Sequence, residues 1–274
     1  MVRRNSRSKV SNRLLTISLG FILFILGTLS VFAQSTLSQP IAIAAAADLQ
    51  FALPEIANAY TKKTGNLLKI TYGSSGNLST QIASGAPFDV LLSADANYPK
   101  QLISSGNAVP DSLTFYARGV LVVWFGPSID LGQSRPSLDA LALTSIRNIA
   151  IANPKHAPYG RAAEAALKSA GMYDRVASKL VFGENIAQAV QFVDSGNAQA
   201  GLVALSLLQG SRHQGTWRVV PLDSYPPLDQ AAIVTKLGAK NPGAKKFVEF
   251  LRYSEVQAIF DRYGFRSPST ESKP

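Results

Sequence analysis

The residues able to do chemistry in this chain cluster where strands turn into helices. Ala45-Ala46-Ala47-Asp48-Leu49, Gly73-Ser74-Ser75-Gly76-Asn77, the stretch from Asn153 to Gly160, and Gly183-Glu184-Asn185-Ile186 each follow an apolar run and precede a stripe of helical spacing. Such a turn can carry a nucleophile, cradle a nucleotide phosphate, bind another anion, or simply bend the chain.

The residue types remove two of these. A nucleophile elbow reads G-x-S-x-G, and Asn77 stands where its second glycine belongs. A P-loop requires a lysine, and none lies between Lys69 and Lys100. No G-x-G-x-x-G fingerprint occurs either. Metal ligation is poorly provided for, with no cysteine, two separated histidines and no acidic cluster at ligand spacing. A small exported serine hydrolase using Ser75 stays open as a reading from another class. It requires His156 or His213 within reach of that hydroxyl.

Anion binding uses what these turns do contain. Each presents unpaired N–H groups at the positive end of a helix dipole, so several converging turns hold an anion without a cation. Small residues let the anion approach the backbone. Taken singly, Asp48, Ser75 and Asn185 are also ordinary N-cap types, worth ~0.5–2 kcal/mol to a helix.

The elements that must position these turns alternate along the chain. Apolar runs at 41–44, 67–72, 88–93, 119–125, 149–152, 180–182, 201–204, 218–221 and 231–235 read as strands. Helical stripes fall between them, and two helices close the chain at 243–253 and 255–263. Pro54 sits inside the first stripe, so that helix starts or kinks there. This alternation argues an α/β architecture of largely parallel sheets, divided into two lobes. The strand at Gly119 and the turn Tyr225-Pro226-Pro227 are the expected crossings, which sets lobe 1 at 40–118 and 224–266 and lobe 2 at 119–223.

The first 33 residues stand apart. Five basic residues and no acid in Met1 to Arg13, an apolar run from Leu14 to Phe32, and Val31-Phe32-Ala33 before Gln34 read as a secretory signal peptide. A retained anchor is the other reading, since the run approaches the ~20 residues that span a bilayer. Residues 34–39 read as a linker and 267–274 as a tail. The formal charge of +10 falls to +5 without the five leader residues, too mild to imply nucleic acid. Zero cysteines exclude disulfides and a lipidated N-terminal cysteine.

Taken together, "AAAADL" (Ala44 to Leu49), "GSSGNLSTQI" (Gly73 to Ile82), "GAPFDVLLSAD" (Gly85 to Asp95), "ANPKHAPYGRAAEAAL" (Ala152 to Leu167), "GENIAQAV" (Gly183 to Val190) and "FDRYGF" (Phe260 to Phe265) make the chain resemble the periplasmic molybdate-binding proteins of bacterial ABC importers. The resemblance implies a type II periplasmic-binding fold with a ligand cleft between two lobes. It implies an exported, monomeric, non-enzymatic protein with no cofactor, whose ligand is molybdate or tungstate and whose partner is an inner-membrane permease. Donors would face the oxygens of the oxyanion, not its metal: Asp48 and Ser75 from the first lobe, Tyr159 and Ile186 from the second, mainly through main-chain N–H. Ala204 falls where many members place a tyrosine hydroxyl.

Asp48 is the awkward member, because many members carry serine there and a carboxylate repels a dianion. Two resolutions are open. Asp48 caps its own helix while its N–H faces the ligand, or Arg118 in "YARGVLVVW" neutralises it or reaches the anion. Phosphate at neutral pH carries a proton that needs an acceptor, and Asp48 is one. A protonated oxyanion such as phosphate is therefore the alternative ligand, with sulfate beside it as another tetrahedral oxyanion.

Overall fold

The computed structural model describes residues 39–132 and 135–268. The expected leader at 1–33, residues 34–38 of the linker and residues 269–274 of the tail lie outside the described residues.

Two five-stranded sheets carry the fold. The first contains β1 (Ile41–Ala46), β2 (Leu68–Gly73), β3 (Val90–Ser93), β4 (Thr114–Gly119) and β10 (Leu228–Val234), in the order β2-β1-β3-β10-β4. The second contains β5 (Leu121–Phe125), β6 (Ile149–Ala152), β7 (Leu180–Gly183), β8 (Ala200–Ala204) and β9 (Thr216–Val219), in the order β7-β6-β8-β5-β9. The helices around them are α1 (Ala52–Thr64), α2 (Ser75–Ala83), α3 (Asn97–Ser104), α4 (Pro158–Ser169), α5 (Tyr173–Val176), α6 (Ile186–Asp194), α7 (Leu205–Gly210), α8 (Pro242–Phe250) and α9 (Ser254–Arg262).

Both sheets follow one plan, and both are mixed. In the first, β1 is parallel to β2 and β3 while β10 runs antiparallel between β3 and β4. In the second, β6 is parallel to β7 and β8 while β5 runs antiparallel between β8 and β9. The antiparallel strands are the ones that enter straight from the other sheet: β5 follows β4 after one residue, and β10 follows the return from β9. Strands joined through helices stay parallel.

The chain crosses at the apolar stretch near Gly119, as expected, but in two strands and not one. A single strand is expected over 119–125, yet the chain leaves the first sheet at Gly119 and enters the second at Leu121. All five residues of β5 are buried, and burying such side chains fully is worth ~1.5–3 kcal/mol each. The first helix spans Ala52–Thr64 and ends at Gly65, whose φ of 75° suits a residue without Cβ. Pro54 lies in its first turn, where a missing N–H costs nothing.

Candidate functional site

A pocket opens where the carboxyl ends of β1, β2, β6 and β7 meet. Asp48, Ser75, Tyr159 and Ile186 all line it, with Ala46, Ala47, Gly73, Ala94 and Ala157 as small neighbours. Its lining includes no lysine or arginine. Ligands gather at such ends of open α/β sheets because helix N-termini face the crevice.

Three of these turns hold groups whose donor capacity is not used within the fold. Ser75 Oγ accepts from the Ala94 N–H at 3.0 Å, which frees its own proton for another acceptor. Asn185 caps α6 by accepting from Ala187 N at 3.0 Å and Gln188 N at 3.2 Å, and so spares the Ile186 N–H. Helix α4 begins at Pro158 after Ala157, which has no capping side chain. The Tyr159 N–H in that first turn has no intrahelical partner.

Asp48 sits in the short 3-10 turn Ala47–Leu49 and is 1% exposed. Its Oδ2 accepts from Tyr159 Oη at 3.1 Å and from Gln230 Nε2. Gln230 is oriented in turn by Tyr116, whose Oη donates to Gln230 Oε1 at 2.8 Å. The two meet at a bulge, where the β4–β10 register shifts between Gln230 and Ala231. Oδ1 of Asp48 is buried and has no hydrogen-bond partner. Burial raises the Asp48 carboxyl to about 6, against the opposing pull of its Gln230 and Tyr159 bonds.

Three expectations are corrected by these contacts. Arg118 does not form the expected pair with Asp48. It sits opposite Asp229 in the β4–β10 ladder, and its Nε donates to Asp229 Oδ1 at 2.7 Å. Asp48 does not cap its helix, since α1 takes Phe51 as N-cap and the Asp48 carboxylate is engaged by Tyr159 and Gln230. Ala204 ends β8 opposite Leu121, fully buried and outside the pocket lining.

Gln230, Tyr116 and Ser206 are missing from the sequence reading. Ser206 Oγ donates to the Asp48 carbonyl oxygen at 2.8 Å. The one available signal is Gln230 itself, a polar residue after Asp229 that leads directly into the apolar run Ala231 to Val234.

The two halves are shut over the pocket. His156 Nδ1 lies 2.9 Å from Ser74 Oγ, and the His156 carbonyl accepts from Gly76 N at 3.0 Å. Arg161 pairs with Asp95 at 2.6 Å and donates to Tyr98 Oη at 2.9 Å. Asn77 donates to Glu184. Asp95 has a second duty, accepting the Asn97 N–H at 2.8 Å to start α3. Gly76 is required here: a Cβ on it would stand 2.6 Å from the His156 carbonyl oxygen and 2.8 Å from Tyr98 Oη.

Comparison with known proteins agrees with this architecture. Residues 41–266 match the family model described as bacterial extracellular solute-binding protein. The chain is 40% identical over 222 residues to the molybdate-binding protein ModA of Rhodobacter capsulatus, covering 81% of this chain and 86% of that one. It is 37% identical over 241 residues to ModA of Azotobacter vinelandii, covering 87% and 93%. The solved periplasmic molybdate-binding protein of Azotobacter vinelandii superimposes with a TM-score of 0.77 at 32% identity, covering 84% of this chain and all of that one. The two mixed sheets, the shared plan and these matches make the chain a member of the bacterial extracellular solute-binding proteins.

Proposed function

We propose that this chain captures molybdate, and equally tungstate, in the periplasm and delivers it to the permease of an ABC importer. The observation that carries this reading is the convergence of four strand-to-helix turns on one buried pocket with no lining cation. Ser75 Oγ–H and the N–H groups of Tyr159 and Ile186 supply donors from both lobes. Four identical oxygens of a tetrahedral dianion match donors that arrive from several turns, with the Asp48 carboxyl the one acidic group in the lining. The names of the relatives from Rhodobacter and Azotobacter support molybdate as the ligand. Tungstate presents the same four oxygens at nearly the same size.

The protein performs no chemistry on its ligand. A hydrolase would need a base on Ser75, but the His156 ring bonds Ser74 instead, and the Ser75 hydroxyl accepts from Ala94 N. Capture and release are the whole cycle, with the contacts among Ser74, Gly76, Tyr98, Asp95, His156 and Arg161 closing the lobes.

A thermal-shift series with molybdate, tungstate, sulfate and phosphate tests the proposal. Molybdate or tungstate at ~100 times its dissociation constant adds ~2.7 kcal/mol of stability, a rise in Tm of about 5–10 °C for a chain of this size. No shift with any of the four contradicts oxyanion capture.

A further inference from the structure

The buried carboxylate of Asp48 is unused by the binding scheme and opposed to it, because a charged Asp48 beside a dianion is repulsive. Its two oxygens differ. Oδ2 receives two donors, Tyr159 Oη and Gln230 Nε2. The Gln230 amide cannot turn round without losing the Tyr116 hydroxyl on its Oε1, so Nε2 stays on Oδ2. Oδ1 is buried and without a partner, on a residue that lines the pocket. An acceptor left this way costs ~1–3 kcal/mol or more. A proton placed on Oδ1 converts it into a donor, the one kind of group a fully deprotonated oxyanion can use.

Resting on the reading of the pocket as an oxyanion site, we propose that Asp48 is protonated on Oδ1 in the ligand-bound protein and donates to an oxyanion oxygen. Each dianion is thereby captured together with one proton. The balance is simple: an ionised Asp48, a dianion and a proton from solvent give a neutral carboxylic acid hydrogen-bonded to a dianion. No bond other than the O–H forms or breaks. The proton cancels the repulsion and adds a donor in the same step.

The surrounding groups leave Asp48 as the titrating member. Tyr159 of α4 and Tyr116 of β4 are buried beside it, and burial with the Asp48 charge raises both well above the usual tyrosine value. Tyr225, close to Tyr159, is raised by burial too. Ser75 and Ser206 do not titrate. Arg118 is held by Asp229 on the neighbouring ladder pair. At the rim, His156 lies against Ser74 and 3.9 Å from Glu184, with Arg161 and Asp95 paired beyond it. His156 is the histidine at this rim, and a His156 variant separates its contribution from that of Asp48.

The test is calorimetric titration of the full chain with molybdate between pH 6.5 and 8.5, in buffers of different ionisation enthalpy. Asp48→Asn and His156→Gln are run beside it. The expected result for the wild type is close to one proton taken up per molybdate at the alkaline end, with Kd weakening about tenfold per pH unit. Asp48→Asn keeps an acceptor for Tyr159 and Gln230 and offers an amide N–H to the ligand. Its Kd is expected to be flat across the range, with no proton uptake and tighter binding than the wild type at pH 8.5. His156→Gln is expected to keep the slope. Molybdate binding with a flat wild-type Kd and no proton uptake overturns this inference and leaves the oxyanion function standing. Loss of the slope in His156→Gln, or a folded Asp48→Asn that fails to bind, also overturns it. Failure of the wild type to bind any oxyanion overturns the function itself.

Discussion

Tyr159 Oη donates to Asp48 Oδ2 at 3.1 Å, joining the first turn of α4 to the turn after β1 across 111 residues of sequence. The bond ties the second lobe to the first at the floor of the pocket. It also divides Tyr159 into two roles, a main-chain N–H proposed as a ligand donor and a hydroxyl turned to the carboxylate. Tyr159→Phe removes only the second. Stability is expected to fall by about 1–3 kcal/mol at pH 8, where the acceptor is charged, and by less at pH 5. Denaturant unfolding at the two pH values checks this.

Asp48→Asn is expected to stabilise the ligand-free protein at alkaline pH. The carboxyl stands at about 6 in the folded chain against 3.8 as its ordinary value. The folded state thus holds the proton more tightly than the unfolded state, and folding is favoured at lower pH. The contribution is fully present below about pH 4, is lost as pH rises, and is gone above about pH 6, a swing of roughly 3 kcal/mol. Unfolding curves of the two proteins should therefore lie closest in acid and diverge with pH until about pH 7.

Ser75→Ala removes a hydroxyl that accepts from Ala94 N and that is proposed to donate to the ligand. A hydrogen bond to a charged partner is worth ~1.5–3 kcal/mol, so molybdate affinity should drop about 10- to 100-fold. Equilibrium dialysis measures it. An unchanged Kd removes Ser75 from the donor set.

Gly76→Ala tests closure. Its methyl would meet the His156 carbonyl across the lobe boundary and Tyr98 Oη within its own lobe, so the lobes should stand apart while each keeps its fold. Small-angle scattering with saturating molybdate should show a larger radius of gyration than the wild type, together with weaker binding.

The turns were legible because their signals are local. Gly73 to Asn77 carries its own small residues, and Asn185 its own cap. Strand and helix alternation likewise rests on short-range periodicity. Pairings between distant segments were not legible. Asp48 was matched with Arg118 by charge alone, whereas the ladder sets Arg118 directly opposite Asp229. Gln230, 182 residues from Asp48, meets it only because β10 enters the first sheet antiparallel at a bulge. The crossing near Gly119 is legible, but its division into two strands around Val120 is not, since one continuous apolar run serves two sheets.

The central claim is that an oxyanion sits among the four turns. Anomalous diffraction from crystals grown with molybdate locates the molybdenum directly. The account predicts one strong peak in the pocket, with oxyanion oxygens at hydrogen-bond distance from Ser75 Oγ and from the Tyr159 and Ile186 nitrogens. A pocket without a peak, or a peak held elsewhere by lysine or arginine side chains, contradicts it.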